Sequence, residues 1–126
     1  MARVLVVDDE PDVRDLIVRR LRADGHDVTT ADNAPGALAA VAIHGLPDAA
    51  VLDVDLPGMD GVALLAELRR LRPDLPAVFL TVLWSGDDVA RMRLAGGIYV
   101  AKPFTAASLR GGLREALATA TPERNR

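Results

Sequence analysis

Four short apolar runs punctuate the chain: RVLVV (3–7), DAAVL (48–52), PAVFL (76–80) and GIYVA (97–101). A fifth, DVTTA (27–31), is more polar and β-branched, which suits an edge or less buried strand. Between these runs the apolar positions recur at helical spacing. Val13, Leu16, Ile17 and Leu21 share one face, with Gly25 as the stop. Leu38, Val41 and Ala42 do the same ahead of His44 and Gly45. Leu64, Leu65, Leu68 and Leu71 form a strong stripe that ends before Pro73. Leu109, Leu113 and Leu117 repeat every four residues, with Thr105 as N-cap and Phe104 stapling onto Leu109. A helix over about 86–95 has the smallest apolar face, Val89 and Met92 with Leu94 or Ala95. Ser85 is its expected cap, and Asp87 and Asp88 suit its positive end. Little burial makes it the element expected to move.

Five strand–helix pairs with short connections predict an α/β fold. Each pair is long enough for a right-handed crossover, so the five-stranded sheet is expected to be parallel and doubly wound, (βα)5, with helices on both faces. Continuous apolar strands fit strands covered on both sides. Residues 1–120 read as one domain and TPERNR, 121–126, as a polar tail or linker stub.

Composition narrows the classes. Half of the 126 residues are apolar and about a quarter charged, which suits a packed core rather than disorder. The net charge of −3 comes with no basic block, so a nucleic-acid surface is not expected. Without cysteine there is neither a disulfide framework nor a thiolate zinc site. The longest apolar run is too short to span a bilayer, and no leader is evident, so a soluble, cytoplasmic chain is expected. Lys102 is the only lysine among fifteen basic residues, an imbalance that codon bias can produce.

A parallel sheet brings all strand C-termini to one rim, where such folds place ligands. The first strand runs into Asp8 and Asp9, the third into Asp53, the fourth into Thr81 and the fifth into Lys102. An Asp capping the helix that starts near Pro11 accounts for one of the first two carboxylates and leaves the other unexplained. Two carboxylates about 5 Å apart repel by roughly 3 kcal/mol at an effective dielectric near 20. A hard cation among them relieves that repulsion, and oxygen-only ligands suit Mg²⁺. Asp8 and Asp9 then read as the metal pair and Asp53 as a carboxylate nucleophile. Thr81 and Lys102 offer donors to a phosphoryl group, which together describes a phosphoryl-transfer site.

The stretches VLVVDDEPDVR, VLDVDLPGMDG, FLT and AKPF, in this order and spacing, resemble the receiver domain of two-component response regulators. The resemblance covers about residues 3–118 and implies a flavodoxin-like strand order 2-1-3-4-5. It implies that Asp53 accepts phosphate from a sensor histidine kinase or phosphotransfer protein, as a phosphoacceptor and not an enzyme in its own right. Asp8, Asp9 and Asp53 would hold Mg²⁺ with the backbone carbonyl of Asp55. Thr81 and Lys102 would contact the phosphoryl group, and Tyr99 would be the switch aromatic. The face of the fourth helix, fifth strand and fifth helix would address an output domain or partner, or a phosphorylation-dependent homodimer. Lys102–Pro103 is the expected place for a cis bond.

Two features depart from the family pattern. Val82 stands where a small residue is usual after the Thr, bordering the opening to the site, and the AGGIYVAKPF segment is one residue shorter before its aromatic. Asp60 reads as a helix N-cap after a Pro-Gly turn, while Asp55 reads equally as a turn residue or a site residue. His26 and His44 read as solvent-facing, and Trp84 as an exposed loop residue or part of a partner surface. Two rival readings are a haloacid-dehalogenase-like phosphatase using Asp53 and Asp55, and a degenerate receiver that only binds. Pro57 in place of the phosphatase's Thr or Val weighs against the first, and the complete Asp, Asp, Asp, Thr, Lys set against the second.

Overall fold

A computed structural model of the chain describes residues 2–82 and 86–124. Strands and helices alternate throughout: β1 (Arg3–Val7), α1 (Pro11–Ala23), β2 (Asp27–Ala31), α2 (Ala34–His44), β3 (Ala49–Asp53), α3 (Gly61–Leu71), β4 (Ala77–Thr81), α4 (Gly86–Leu94), β5 (Ile98–Ala101) and α5 (Ala106–Arg124). The sheet has the order β2-β1-β3-β4-β5 and every pairing is parallel. The third and fourth strands begin one residue later than their apolar runs, so Asp53 and Thr81 are the last residues of β3 and β4 rather than the first after them.

Strand alternation sorts the core into two layers. Leu5, Val7, Ala50, Leu52, Ala77 and Phe79 point to the side covered by α2, α3 and α4. Val4, Val6, Ala49, Val51, Val78 and Leu80 point to the side covered by α1 and α5. The edge strand β2 is only half-buried, in keeping with its composition.

The helices use their faces somewhat differently from the periodicity. In α1, Ile17, Val18 and Leu21 are buried, with Val18 replacing Leu16 in the deep row. In α2, small residues Ala34 and Ala37 join Val41 against the sheet, and Ala42 is exposed, so the helix packs close. Leu71 is exposed because it is the last residue of α3, past the part that overlies the sheet. In α4, Met92 is fully buried and Ala95 packs against the same layer, whereas Leu94 turns outward at 89% exposure.

Local chemistry sets the helix ends. Pro11 opens α1 behind Glu10, which makes no side-chain cap, so neither Asp8 nor Asp9 is the cap. Asn33 caps α2 by accepting from Gly36 N–H at 2.7 Å, and Asp60 caps α3 through Ala63 N–H at 2.8 Å. Thr105 caps α5 by accepting from Ser108 N–H at its Oγ1, while the Ser108 hydroxyl oxygen accepts in return from Thr105 N–H. Phe104 packs in the layer that contains Leu109, as a staple requires. The helix α5 continues through residues 121–124 of the expected tail. The Ser85 cap and the Trp84 surface lie outside the described residues. His44 is exposed, but His26 is half-buried and its Nδ1 accepts from Ala2 N–H at 3.0 Å, which pins the start of the chain to the α1–β2 turn.

The rim opposite the strand C-termini is stitched by arginines. Arg3 donates to the carbonyls of His44 and Leu46, Arg72 to that of Pro47, and Arg69 to those of Leu75 and Ala95. These guanidinium groups satisfy loop and helix-end carbonyls that have no ladder partner.

Candidate functional site

Because β1 and β3 are adjacent, their C-terminal ends bring Asp8 and Asp53 side by side. Among the described residues, the buried polar or charged side chains are Asp8, Asp53 and Thr81, all at this rim. Such a concentration is costly unless each group finds a partner.

The partners are present. Lys102, delivered by the end of β5, places its Nζ 3.1 Å from Asp8 Oδ2 and 3.1 Å from Asp53 Oδ2. The Lys102–Pro103 bond is cis, as the resemblance implies. Asp8 Oδ1 accepts from Glu10 N–H at 2.9 Å, and Asp53 Oδ1 accepts from Asp55 N–H at 3.0 Å. Arg14, one turn into α1, donates to the Asp8 carbonyl at 2.9 Å and fixes the strand–helix corner. Thr81 is buried at the end of β4 opposite Ala101, and its carbonyl accepts from Lys102 N–H at 2.9 Å.

Electrostatics here is a balance of opposing effects. Burial pushes the Asp53 carboxyl above its ordinary range and the Asp8 charge adds to this, against the Asp55 N–H and the Lys102 ammonium. Burial also works against the Lys102 charge, but the Asp8 and Asp53 carboxylates outweigh it and hold the ammonium above its usual value. One cation thus serves two buried carboxylates.

Carboxylate oxygens from Asp8, Asp9, Glu10 and Asp53 lie within 4.8 Å of one another. The donors are all hard oxygens, and Asp9 and Glu10 face solvent, leaving room for water in a coordination sphere. That set fits Mg²⁺ and does not fit a soft metal. An open hollow of about 260 Å³ above them is lined by Asp9, Glu10, Asp53, Asp55, Val82 and Lys102.

The structure therefore brings together Asp8, Asp9, Asp53, Asp55 and Lys102, with Thr81 at the adjoining strand end. Asp55 lines the hollow with an exposed side chain and so faces the site. Val82 borders the same hollow at 56% exposure. Tyr99 is separate: it sits on β5 level with Phe79, half-buried against the layer under α2, α3 and α4. Asp60 is a cap, and it additionally pairs with Arg91 of α4 at 2.8 Å.

Sequence reading missed two participants. Glu10 lies 3.8 Å from Lys102 Nζ, and the only signal for it was its place directly after the two aspartates. Gly61 packs so tightly under β3 that a Cβ there would stand 2.3 Å from the Asp53 carbonyl oxygen. The sign of that contact was a glycine at the first position of a capped helix, behind Asp60.

Comparison with known proteins identifies the family and the fold. Residues 4–114 match the family model of the response regulator receiver domain. The chain is 43% identical over 103 residues to the probable transcriptional regulatory protein TcrX of Mycobacterium tuberculosis, covering 81% of this chain and 44% of TcrX. It is 41% identical over 124 residues to the transcriptional regulatory protein PrrA of Mycobacterium leprae, covering 94% and 53%. The chain thus spans about half the length of the curated relatives it matches. Among solved structures, it is similar to a CheY-like receiver domain protein from Methanospirillum hungatei, with TM-score 0.87, 28% identity and 98% of both chains covered. It is similar also to NtrX from Brucella abortus, with TM-score 0.88 and 38% identity over 98% of this chain and 28% of that one.

Proposed function

Given that the chain belongs to the response regulator receiver-domain family of two-component signalling, we propose that Asp53 is its phosphoacceptor. The observation that carries this reading is the shared ammonium: Lys102 Nζ stands 3.1 Å from both Asp53 and Asp8 at the floor of an open hollow. A buried, oriented carboxylate with a cation beside it can attack phosphorus while the ammonium neutralises charge on the transferred group.

Mg²⁺ would be held by Asp8, Asp9 and Asp53 with the Asp55 carbonyl, and when bound it supplies charge neutralisation to phosphoryl oxygens. The chain's own residues do the rest. An Asp53 carboxylate oxygen is the attacking atom: Oδ1 accepts from the Asp55 N–H, which orients the carboxylate, and Oδ2 faces the Lys102 ammonium. Lys102 leaves its position on Asp53 and follows the phosphoryl oxygens, and the Thr81 hydroxyl donates to another. Movement of Thr81, followed by Tyr99 from its half-buried place on β5, shifts α4 and alters the α4–β5–α5 face.

The donor is a sensor histidine kinase or phosphotransfer protein in the cytoplasm, and the receiver acts as a signalling domain rather than a turnover enzyme. Its relatives are named transcriptional regulators, so the face would address an output domain, a partner or a second copy. No described helix is long and apolar enough to cross a membrane.

Incubation with acetyl phosphate and Mg²⁺ followed by mass spectrometry tests the assignment. A single adduct is expected on Asp53 and none on the Asp53→Asn variant. An adduct mapped elsewhere, or continuous turnover of donor with no adduct, would overturn it.

A further inference from the structure

The hollow over Asp53 is unevenly charged. One cation, Lys102, lies at its floor, while three carboxylates, Asp9, Glu10 and Asp55, stand exposed around its rim. The metal reading uses Asp9 and the Asp55 backbone. Glu10 belongs to the same oxygen cluster without being one of those assigned ligands, and its carboxylate is the third group around Lys102, at 3.8 Å, with 63% of its side chain exposed. Lys102 is in turn 3.1 Å from Asp53 Oδ2, so a phosphoryl group arriving at Asp53 comes within a few ångströms of the Glu10 charge.

Resting on the phosphoacceptor reading, we infer that Glu10 is a specificity-determining residue that selects phosphodonors by charge, disfavouring dianions relative to monoanions and net-neutral donors. The backbone of Glu10 cannot move away to avoid the encounter. Its N–H is bound to Asp8 Oδ1, and Arg14 fixes the neighbouring Asp8 carbonyl. The backbone that carries this charge is therefore fixed at the β1–α1 corner.

Two small donors separate charge from chemistry. In acetyl phosphate, a dianion near neutrality, an Asp53 oxygen forms the new O–P bond and acetate departs with the electron pair of the broken P–O bond. In phosphoramidate, chiefly a monoanion with its proton on nitrogen, the same O–P bond forms and ammonia departs with the P–N pair. At about 6 Å in a water-like dielectric, removing one negative charge accelerates a dianion by about tenfold and a monoanion by about threefold.

The experiment measures Asp53 phosphorylation rates of the parent, Glu10→Gln and Glu10→Asp with both donors, at saturating Mg²⁺ and at low and high salt. The Gln variant is expected to gain about threefold more with acetyl phosphate than with phosphoramidate at low ionic strength. The Asp variant should keep the parent's preference, and the Gln effect should fade at about 1 M salt. An equal gain with both donors would mean that Glu10 only restrains Lys102, and no gain would mean that its charge is not felt; either overturns the inference alone. No adduct on Asp53 of the parent with either donor would overturn the phosphoacceptor reading and the inference together.

Discussion

At Asp53 burial and charge pull against one another, and the sign of the outcome is testable. A carboxyl whose folded pKa is raised favours folding most when protonated, and that contribution is lost as pH rises through the folded value. Above the folded value the ionised Asp53 is therefore a net cost in the metal-free protein, and a cation that binds only the folded state offsets it. Mg²⁺ at a hundredfold excess over its Kd is expected to raise the melting temperature by several degrees, since such binding contributes about 2.7 kcal/mol. Asp9→Asn should shrink that rise, and an equal rise in both proteins would remove Asp9 from the metal site. Asp8, Asp9, Asp53, Thr81 and Lys102 were legible because each stands at the end of a short apolar run, and the alternation with helical stripes makes those runs strands whose ends share one rim. Glu10 and Gly61 were not, because a charged residue near a helix start and a glycine after a cap have ordinary local roles. Only the tertiary distances, 3.8 Å to Lys102 and 2.3 Å from a built Cβ to Asp53, give them another.

The element with the weakest hold on the core is α4. Among its described residues Met92 is the one fully buried large side chain, helped by Val89 and the following Ala95. Two arginine contacts reinforce it from α3: Arg91 pairs with Asp60, and Arg69 donates to the Ala95 carbonyl. Asp60 also caps α3, whose first residue lies under the Asp53 backbone, so α4 is tied to the strand that carries the candidate phosphoacceptor. Arg91→Ala is expected to speed amide exchange across 86–95 by about two- to fivefold, the scale of a surface ion pair, and to leave α3 unchanged. Unchanged exchange in α4 would show that its packing alone holds it. Helical spacing had marked α4 as poorly anchored, and that was right. It could not choose between Leu94 and Ala95, because the choice depends on where the chain turns: Gly96 adopts φ +70°, and Gly97 passes against the Phe79 ring, where a Cβ would stand 2.3 Å away. That close passage gives a reason for the paired glycines in the shortened AGGIYV segment.

On the scale of the whole molecule, the parallel, doubly wound fold class was readable from the alternation of apolar runs and helical stripes, because right-handed crossovers leave few alternatives, whereas the strand order came only with the family resemblance. The arginine stitching of the far rim was not readable, since a guanidinium that caps a distant carbonyl leaves no periodic trace. The lone lysine has a consequence for the protein as a chemical object. An amine-acylating reagent finds just two targets, the chain's terminal amine and Lys102, and the second is 11% exposed between two carboxylates that keep it protonated. Acylation of Lys102 should be slow, and an intact mass should show one modified amine long before two. Beryllofluoride, by occupying the hollow, should slow the second event further, whereas Asp53→Asn should hasten it. If the second amine reacts as fast as the first in the untreated protein, Lys102 does not rest between those carboxylates in solution.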